Sequence, residues 1–353
     1  MNRDALLLSC VFAALWTAPA RAVDLRPGDL LITHGDVDFD QQLTLTRVDP
    51  KTGQTETVVT FEGFPTEELE GLAVDGRANI FVLTGDRSAV TRVDAKTGAI
   101  DVLSSSDLNV GIGPRISEEP ADIGVLSDGH LAVLDLDDGR ILHVDRTTGL
   151  RSVLSDGSGG PLGNEGPVGL GPDFDDPWAL AIGQSSLFVA DQSGAVFQVD
   201  AATGDRAIIA DDLTGTGPTL FGIDALAVTP DGSLLAADED VAFSLLRIDR
   251  GTGNRKILSN SLIGSGPLPG AVKDIAVRET GDIYVIDTEN LFRIDPLEGT
   301  RTLISLPLGP PRRHLTNLAV VHQVPEPSTA MLLIPLTLVA TFFRFGCARK
   351  RNA

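Results

Sequence analysis

The stretch PWALAIGQSSLFVADQSGAVFQVDAATGDRAIIA, from Pro177 to Ala210, holds four short apolar runs separated by turn residues. Leu180-Ala181-Ile182, Phe188-Val189-Ala190, Ala195-Val196-Phe197 and Ala207-Ile208-Ile209 are each too short for a helix, and Gly, Ser, Asp and Gln punctuate the intervals. The last interval is the most informative. Val199-Asp200 leads through three small residues to Gly204, so the aspartate can bind the turn backbone while glycine takes positive φ, which makes a hairpin loop. The stretch reads as a four-stranded antiparallel meander.

The same unit recurs along the chain. Val48-Asp49 to Gly53, Val93-Asp94 to Gly98, Val144-Asp145 to Gly149, Val199-Asp200 to Gly204, Ile248-Asp249 to Gly253 and Ile294-Asp295 to Gly299 repeat the turn, with aspartates 45 to 55 residues apart. That period belongs to propeller blades rather than helical solenoids. Upstream of five turns lie a short innermost strand with small central residues, as in Leu72-Ala73-Val74 or Leu226-Ala227-Val228, and a second strand such as Phe81-Val82-Leu83. The first unit, with Leu31-Ile32-Thr33 as its second strand, lacks the innermost one, and a spare copy, Leu318-Ala319-Val320, follows the last unit. The expected fold is therefore an all-β, six-bladed β-propeller with four-stranded blades, closed by the C-terminal strand so that no sheet edge stays free.

The 353 residues include 49 acidic and 28 basic side chains, for a net charge of −21, which argues against nucleic acid as a partner. Both cysteines, Cys10 and Cys347, lie outside the repeats, so disulfides and thiolate zinc sites are excluded from the body.

Residues 1–22 read as a signal peptide: Arg3, an apolar run from Ala5 to Trp16, then the cleavage pattern Ala20-Arg21-Ala22, leaving a body of 23–323. The segment 324–353 begins with Val324-Pro325-Glu326-Pro327-Ser328, continues as an apolar run over about 329–345, broken only by Pro335, and ends in Arg349-Lys350-Arg351. Such a helix spans about 25 Å, enough for a short transmembrane segment, and the terminal cations favour a cytoplasmic end.

The order of Pro-Glu-Pro motif, apolar helix and basic terminus resembles the PEP-CTERM sorting signal of bacteria that make extracellular polysaccharide. That resemblance implies recognition by exosortase, cleavage near Val324–Ser328, transient anchoring in the inner membrane and delivery to the cell envelope or outside. Over about residues 28–322 the repeats resemble NHL-like propellers, with Pro177-Trp178-Ala179-Leu180-Ala181-Ile182 and Phe188-Val189-Ala190-Asp191 the best match.

Propeller topology puts the links between blades on one face with the turns joining second and third strands. The links repeat a Gly-x-Gly-Pro theme at Gly111–Pro114, Gly169–Pro172, Gly215–Pro218 and Gly264–Pro267, expected to be stiff crossover turns and not phosphate loops. The turns bring Asp36, Asp38, Asp40, Asp86, Asp135, Asp137, Asp138, Asp191, Asp238, Glu239, Asp240, Asp287 and Glu289 to that face. Lys51, Lys96, Arg146 and Arg250 go to the other, which predicts an electrically polar molecule.

Just before the innermost strands stand Glu70, Asp122, Asp224, Asp274 and Asn317, with Trp178 in the fourth unit. Closure of the ring would gather these oxygens at the channel mouth, a donor set suited to calcium. No catalytic constellation accompanies them. The five histidines show no metal-ligand spacing, and Gly183-Gln184-Ser185-Ser186-Leu187 lacks the last glycine of a nucleophile elbow. The leading expectation is a binding or structural module whose partner is exopolysaccharide or an envelope protein. The alternative is a secreted calcium-dependent hydrolase or lyase using Glu70, Asp224, Asp274 and Asn317, since Glu70-Gly71 is similar to the first metal ligand of propeller lactonases and streptogramin lyases share the architecture.

Overall fold

A computed structural model describes residues 22–36, 43–61, 69–85, 87–157, 168–238, 243–308 and 313–322. The expected signal peptide up to Arg21, the expected sorting motif and the expected membrane span lie outside the described residues, as do Asp38, Asp40, Asp86, Glu239 and Asp240.

Six antiparallel sheets of four strands form the blades. Blade 2 comprises Leu69–Val74, Ile80–Thr84, Ala89–Val93 and Ile100–Ser105, from channel to rim, and blade 3 Pro120–Val125, Leu131–Asp135, Arg140–Val144 and Arg151–Asp156. Blade 4 follows with Pro177–Ile182, Ser186–Asp191, Val196–Asp200 and Arg206–Ala210, and blade 5 with Ile223–Val228, Leu234–Asp238, Ser244–Ile248 and Arg255–Ser259. Blade 6 holds Val272–Val277, Ile283–Asp287, Leu291–Ile294 and Arg301–Ile304. Blade 1 joins both ends of the described chain, because Arg313–Val320 pairs inside Leu30–Asp36, which pairs in turn with Leu43–Val48 and then Thr55–Phe61. The register sets Leu30 against Val320 and Ile32 against Leu318, the closure expected from the spare strand.

Each turn after the third strand is built as its residues require. Asp49, Asp94, Asp145, Asp200, Asp249 and Asp295 accept backbone N–H groups two or three residues on. The closing glycines all take φ between 67° and 76°, a region open to glycine at little cost.

Packing explains why the second strands are apolar without alternation. Hydrophobic cores lie between successive blades, so both faces of a blade are buried. In Ile80–Thr84, Ile80 and Val82 enter the core shared with blade 1, while Phe81 and Leu83 enter the core shared with blade 3. The innermost strands touch one another in cyclic order around the channel.

Candidate functional site

A β-bulge near the start of every innermost strand shapes the channel mouth. In blades 2 to 6 the bulged residues are Glu70, Ala121, Trp178, Asp224 and Lys273, each skipped by the pairing register, and in blade 1 the skipped residue is Thr316. The next residue inward re-enters the ladder: Gly71, Asp122, Ala179, Ala225, Asp274 and Asn317. All five expected calcium ligands therefore line one cavity of about 380 Å³, together with Trp178, Glu118, Glu119 and Lys273. They do so on two levels and not as one ring. Glu70 and Asp224 sit on the bulges, whereas Asp122, Asp274 and Asn317 sit one step deeper, where reading them as equivalent positions is corrected by the bulge.

The deeper level joins blades to one another. Asp122 accepts the N–H of Ile123 at 2.7 Å and, across the blade boundary, that of Leu180 at 2.9 Å. Asp274 repeats this with Ile275 at 2.7 Å and Leu318 at 2.8 Å, so blade 6 grips the closing strand of blade 1. The amide of Asn317 donates to Thr33 Oγ1 and to the carbonyl of Leu69, carrying the connection from blade 1 to blade 2. Where the deeper residue is glycine there is no room for a side chain, for a Cβ on Gly71 would lie 2.9 Å from Ile123 Cγ2.

Desolvation in the channel raises the Asp122 pKa to about 7, against the opposing pull of its two backbone hydrogen bonds. It raises Asp274 well above the carboxylate range, helped by the charge of Asp122. Each oxygen of both carboxylates accepts one amide N–H, which leaves each a second lone pair directed elsewhere. Among the described residues, the group of three or more carboxylates and imidazoles with ligand atoms mutually within 4.8 Å lies elsewhere, at Asp128, His130 and His143. No three of the carboxylates Glu70, Asp122, Asp224 and Asp274 have oxygens gathered within that distance.

The acids of the surrounding turns also have structural employment. Asp135, Asp191, Asp238 and Asp287 end the second strands and are buried. Asp191 accepts the N–H groups of Asp175 and Asp176, Asp238 that of Phe221, Asp287 that of Gly270 and Asp135 that of Ser117, so each pins the incoming link over its own blade. The opposite face is not simply basic either. Arg146 pairs with Asp75 at 2.8 Å, Arg247 with Asp231 at 2.9 Å and Arg293 with Asp282 at 2.5 Å, which weakens the expected polarity.

The Gly-x-Gly-Pro links are rim clasps. Arg151, Arg206, Arg255 and Arg301, two residues after the turn glycines, begin the outer strands of blades 3 to 6. Their Nε atoms donate to the carbonyls of Pro114, Pro172, Pro218 and Pro267, and their Nη1 atoms to further carbonyls of the same links. In Arg151, Arg206 and Arg301 the same nitrogen also reaches a serine hydroxyl at the end of the preceding outer strand, Ser104, Ser155 or Ser259. The second glycine of the link, such as Gly171 at φ 115°, must pass so close that a Cβ would lie 2.0 Å from the carbonyl oxygen of Arg206. This role was legible in one signal: the four turns followed by x-Arg are the four preceded by Gly-x-Gly-Pro.

The bulge level carries the most exposed aromatic group of the mouth. Trp178 is 41 % exposed there. Glu119 and Glu118, the latter paired with Arg115 at 2.9 Å, are exposed beside the same cavity, and Glu70, Asp224 and Lys273 are among its other lining residues.

No protein-family model matches the sequence, and no curated protein matches it. Among solved structures it is similar to a chain in the crystal structure of a nidogen/laminin complex, with a TM-score of 0.61 and 14 % identity, covering 84 % of this chain and 99 % of that one. At that identity the likeness concerns the propeller fold alone.

Proposed function

We propose that this chain is an exported binding module of the cell surface or extracellular matrix, whose propeller holds a partner protein at the channel mouth. The observation that carries the reading is Trp178, a large aromatic side chain exposed over a cavity bordered by Glu70, Glu118, Glu119 and Asp224. An aromatic plate among carboxylates suits the cationic side chain of a polypeptide, through cation–π attraction and charge together. The deeper carboxylates hold blades together and leave this level to do the recognition. A propeller of similar fold occurs in a complex of two proteins, which supports a protein partner. Export and sorting rest on the resemblance of 1–22 to a signal peptide and of 324–353 to a PEP-CTERM tail processed by exosortase.

The reading is tested with a photo-crosslinking amino acid placed at Lys273, in the same cavity lining as Trp178, or at Gln184 by the other mouth, in the full chain expressed in a host that carries an exosortase. A discrete protein adduct from position 273, lost with Trp178→Ala and with Glu118→Lys/Glu119→Lys, supports it. Adducts only to polysaccharide, or equal labelling from both positions, contradict it. Mass spectrometry of the same material should find mature product ending near Ser328.

A further inference from the structure

On the face opposite the Trp178 mouth, blade 3 brings together two histidines that their positions in the chain do not mark as a pair. His130 lies in the turn between the innermost and second strands, and His143 lies in the third strand, directly across from Ala132. Antiparallel register therefore places His130 diagonal to His143, with ring centroids 4.9 Å apart and planes tilted by 49°. Asp128 completes the group. Its Oδ1 accepts the His130 backbone N–H at 2.9 Å, and its Oδ2 is left 4.0 Å from His143 Nε2.

From this geometry we infer that Asp128, His130 and His143 form a surface zinc site. One nitrogen of each ring and one carboxylate oxygen already lie within 4.8 Å of one another. In a tetrahedral zinc site, bonds of about 2.0–2.1 Å separate ligand atoms by roughly 3.3 Å, so the three must close by about 1.5 Å or less. Side-chain rotation suffices, because all three residues are partly or fully exposed, while strand pairing holds the His143 backbone and the Leu126 N–H, donated to the His130 carbonyl, closes the turn that carries the other two. Two imidazoles and one carboxylate favour zinc over the harder calcium and magnesium. Three protein ligands leave the fourth position to water or to a donor from a partner.

The ring of His130 is held from one side, where Nδ1 accepts the Arg146 backbone N–H at 3.4 Å, a long bond that the ring gives up if it turns to a metal. Asp145 Oδ2 stands 3.7 Å from the same nitrogen, while Asp145 Oδ1 is fixed by the N–H groups of Thr147 and Thr148. The nearby guanidinium of Arg146 is drawn to Asp75 at 2.8 Å, which offsets its charge beside the site.

The test is equilibrium dialysis of untagged, full-length protein against zinc, with cobalt as the spectroscopic probe. One zinc per chain is expected, with cobalt absorption bands of tetrahedral intensity. Both should be lost in His130→Gln and in His143→Gln, while each variant keeps the far-ultraviolet spectrum and unfolding midpoint of the metal-free wild type. Zinc retained equally by both variants would place any binding elsewhere and overturn the inference. Absence of stoichiometric zinc in the folded wild type would also overturn it.

Discussion

The Asp274 carboxylate in blade 6 accepts the backbone N–H of Leu318, in the strand that closes blade 1, at 2.8 Å. Forty-four residues apart in the chain, the two meet only when the ring is complete. This residue, expected as a metal ligand, links the two ends of the propeller.

Removing that acceptor should loosen closure. Asp274→Ala leaves the N–H groups of Ile275 and Leu318 without their acceptor, and an unsatisfied buried donor costs about 1–3 kcal/mol. Loss of the unfavourable desolvated carboxyl offsets part of this, so urea unfolding at pH 7 should show a net loss of about 1–3 kcal/mol. Asp274→Asn, which retains one acceptor oxygen, should fall closer to the wild type.

Stability should depend on pH in two opposite ways. The raised pKa values of Asp122 and Asp274 mean that the folded state favours their protonated forms. Their contribution is full below the unfolded value of 3.8 and is lost as pH rises, for Asp122 through about 7. The turn aspartates 49, 94, 145, 200, 249 and 295 are depressed by hydrogen bonds to their carboxylates, so their contribution is present above 3.8 and disappears as pH falls through their folded values. Thermal unfolding across pH 3 to 8 should therefore give a maximum in the mildly acidic range. Asp122→Asn/Asp274→Asn should flatten the fall on the neutral side and leave the acid limb unchanged.

The rim clasps should resist conservative change. Arg206→Lys keeps the charge but cannot reach Pro172, Val168 and Ser155 from one planar fork. A loss of about 1–3 kcal/mol is expected, close to that of Arg206→Ala, because buried acceptors are left unpaired in both. Chemical denaturation of the two variants checks this, and full stability in the lysine variant would show that the fork is dispensable.

The blades, their order and their closure were legible because each depends on local patterns: short apolar runs, an Asp-to-Gly turn, and a spare strand at the end. The channel mouth was legible only to within one residue. Glu70 and Asp224 were grouped with Asp122, Asp274 and Asn317 because all precede an apolar run, yet a bulge separates the two sets by one position, and a one-residue step changes what a side chain faces. The carboxylates of Asp122 and Asp274 meet the amides of neighbouring blades, Leu180 and Leu318, contacts that no sequence spacing encodes. His130 and His143 were missed for the same reason, since their meeting depends on strand register and not on spacing.

The account assigns the mouth carboxylates to joining blades and the bulge level to binding a partner, and calcium decides between this and a metal-dependent hydrolase. Metal-free protein is melted with and without millimolar calcium, for the wild type, Asp274→Ala and Asp224→Ala. The account predicts unchanged wild-type melting with calcium, a lower midpoint for Asp274→Ala that calcium does not alter, and little change for Asp224→Ala. A calcium-dependent rise in the wild type, approaching about 2.7 kcal/mol at a hundredfold excess over the dissociation constant and abolished in both variants, would contradict it and restore the metal site.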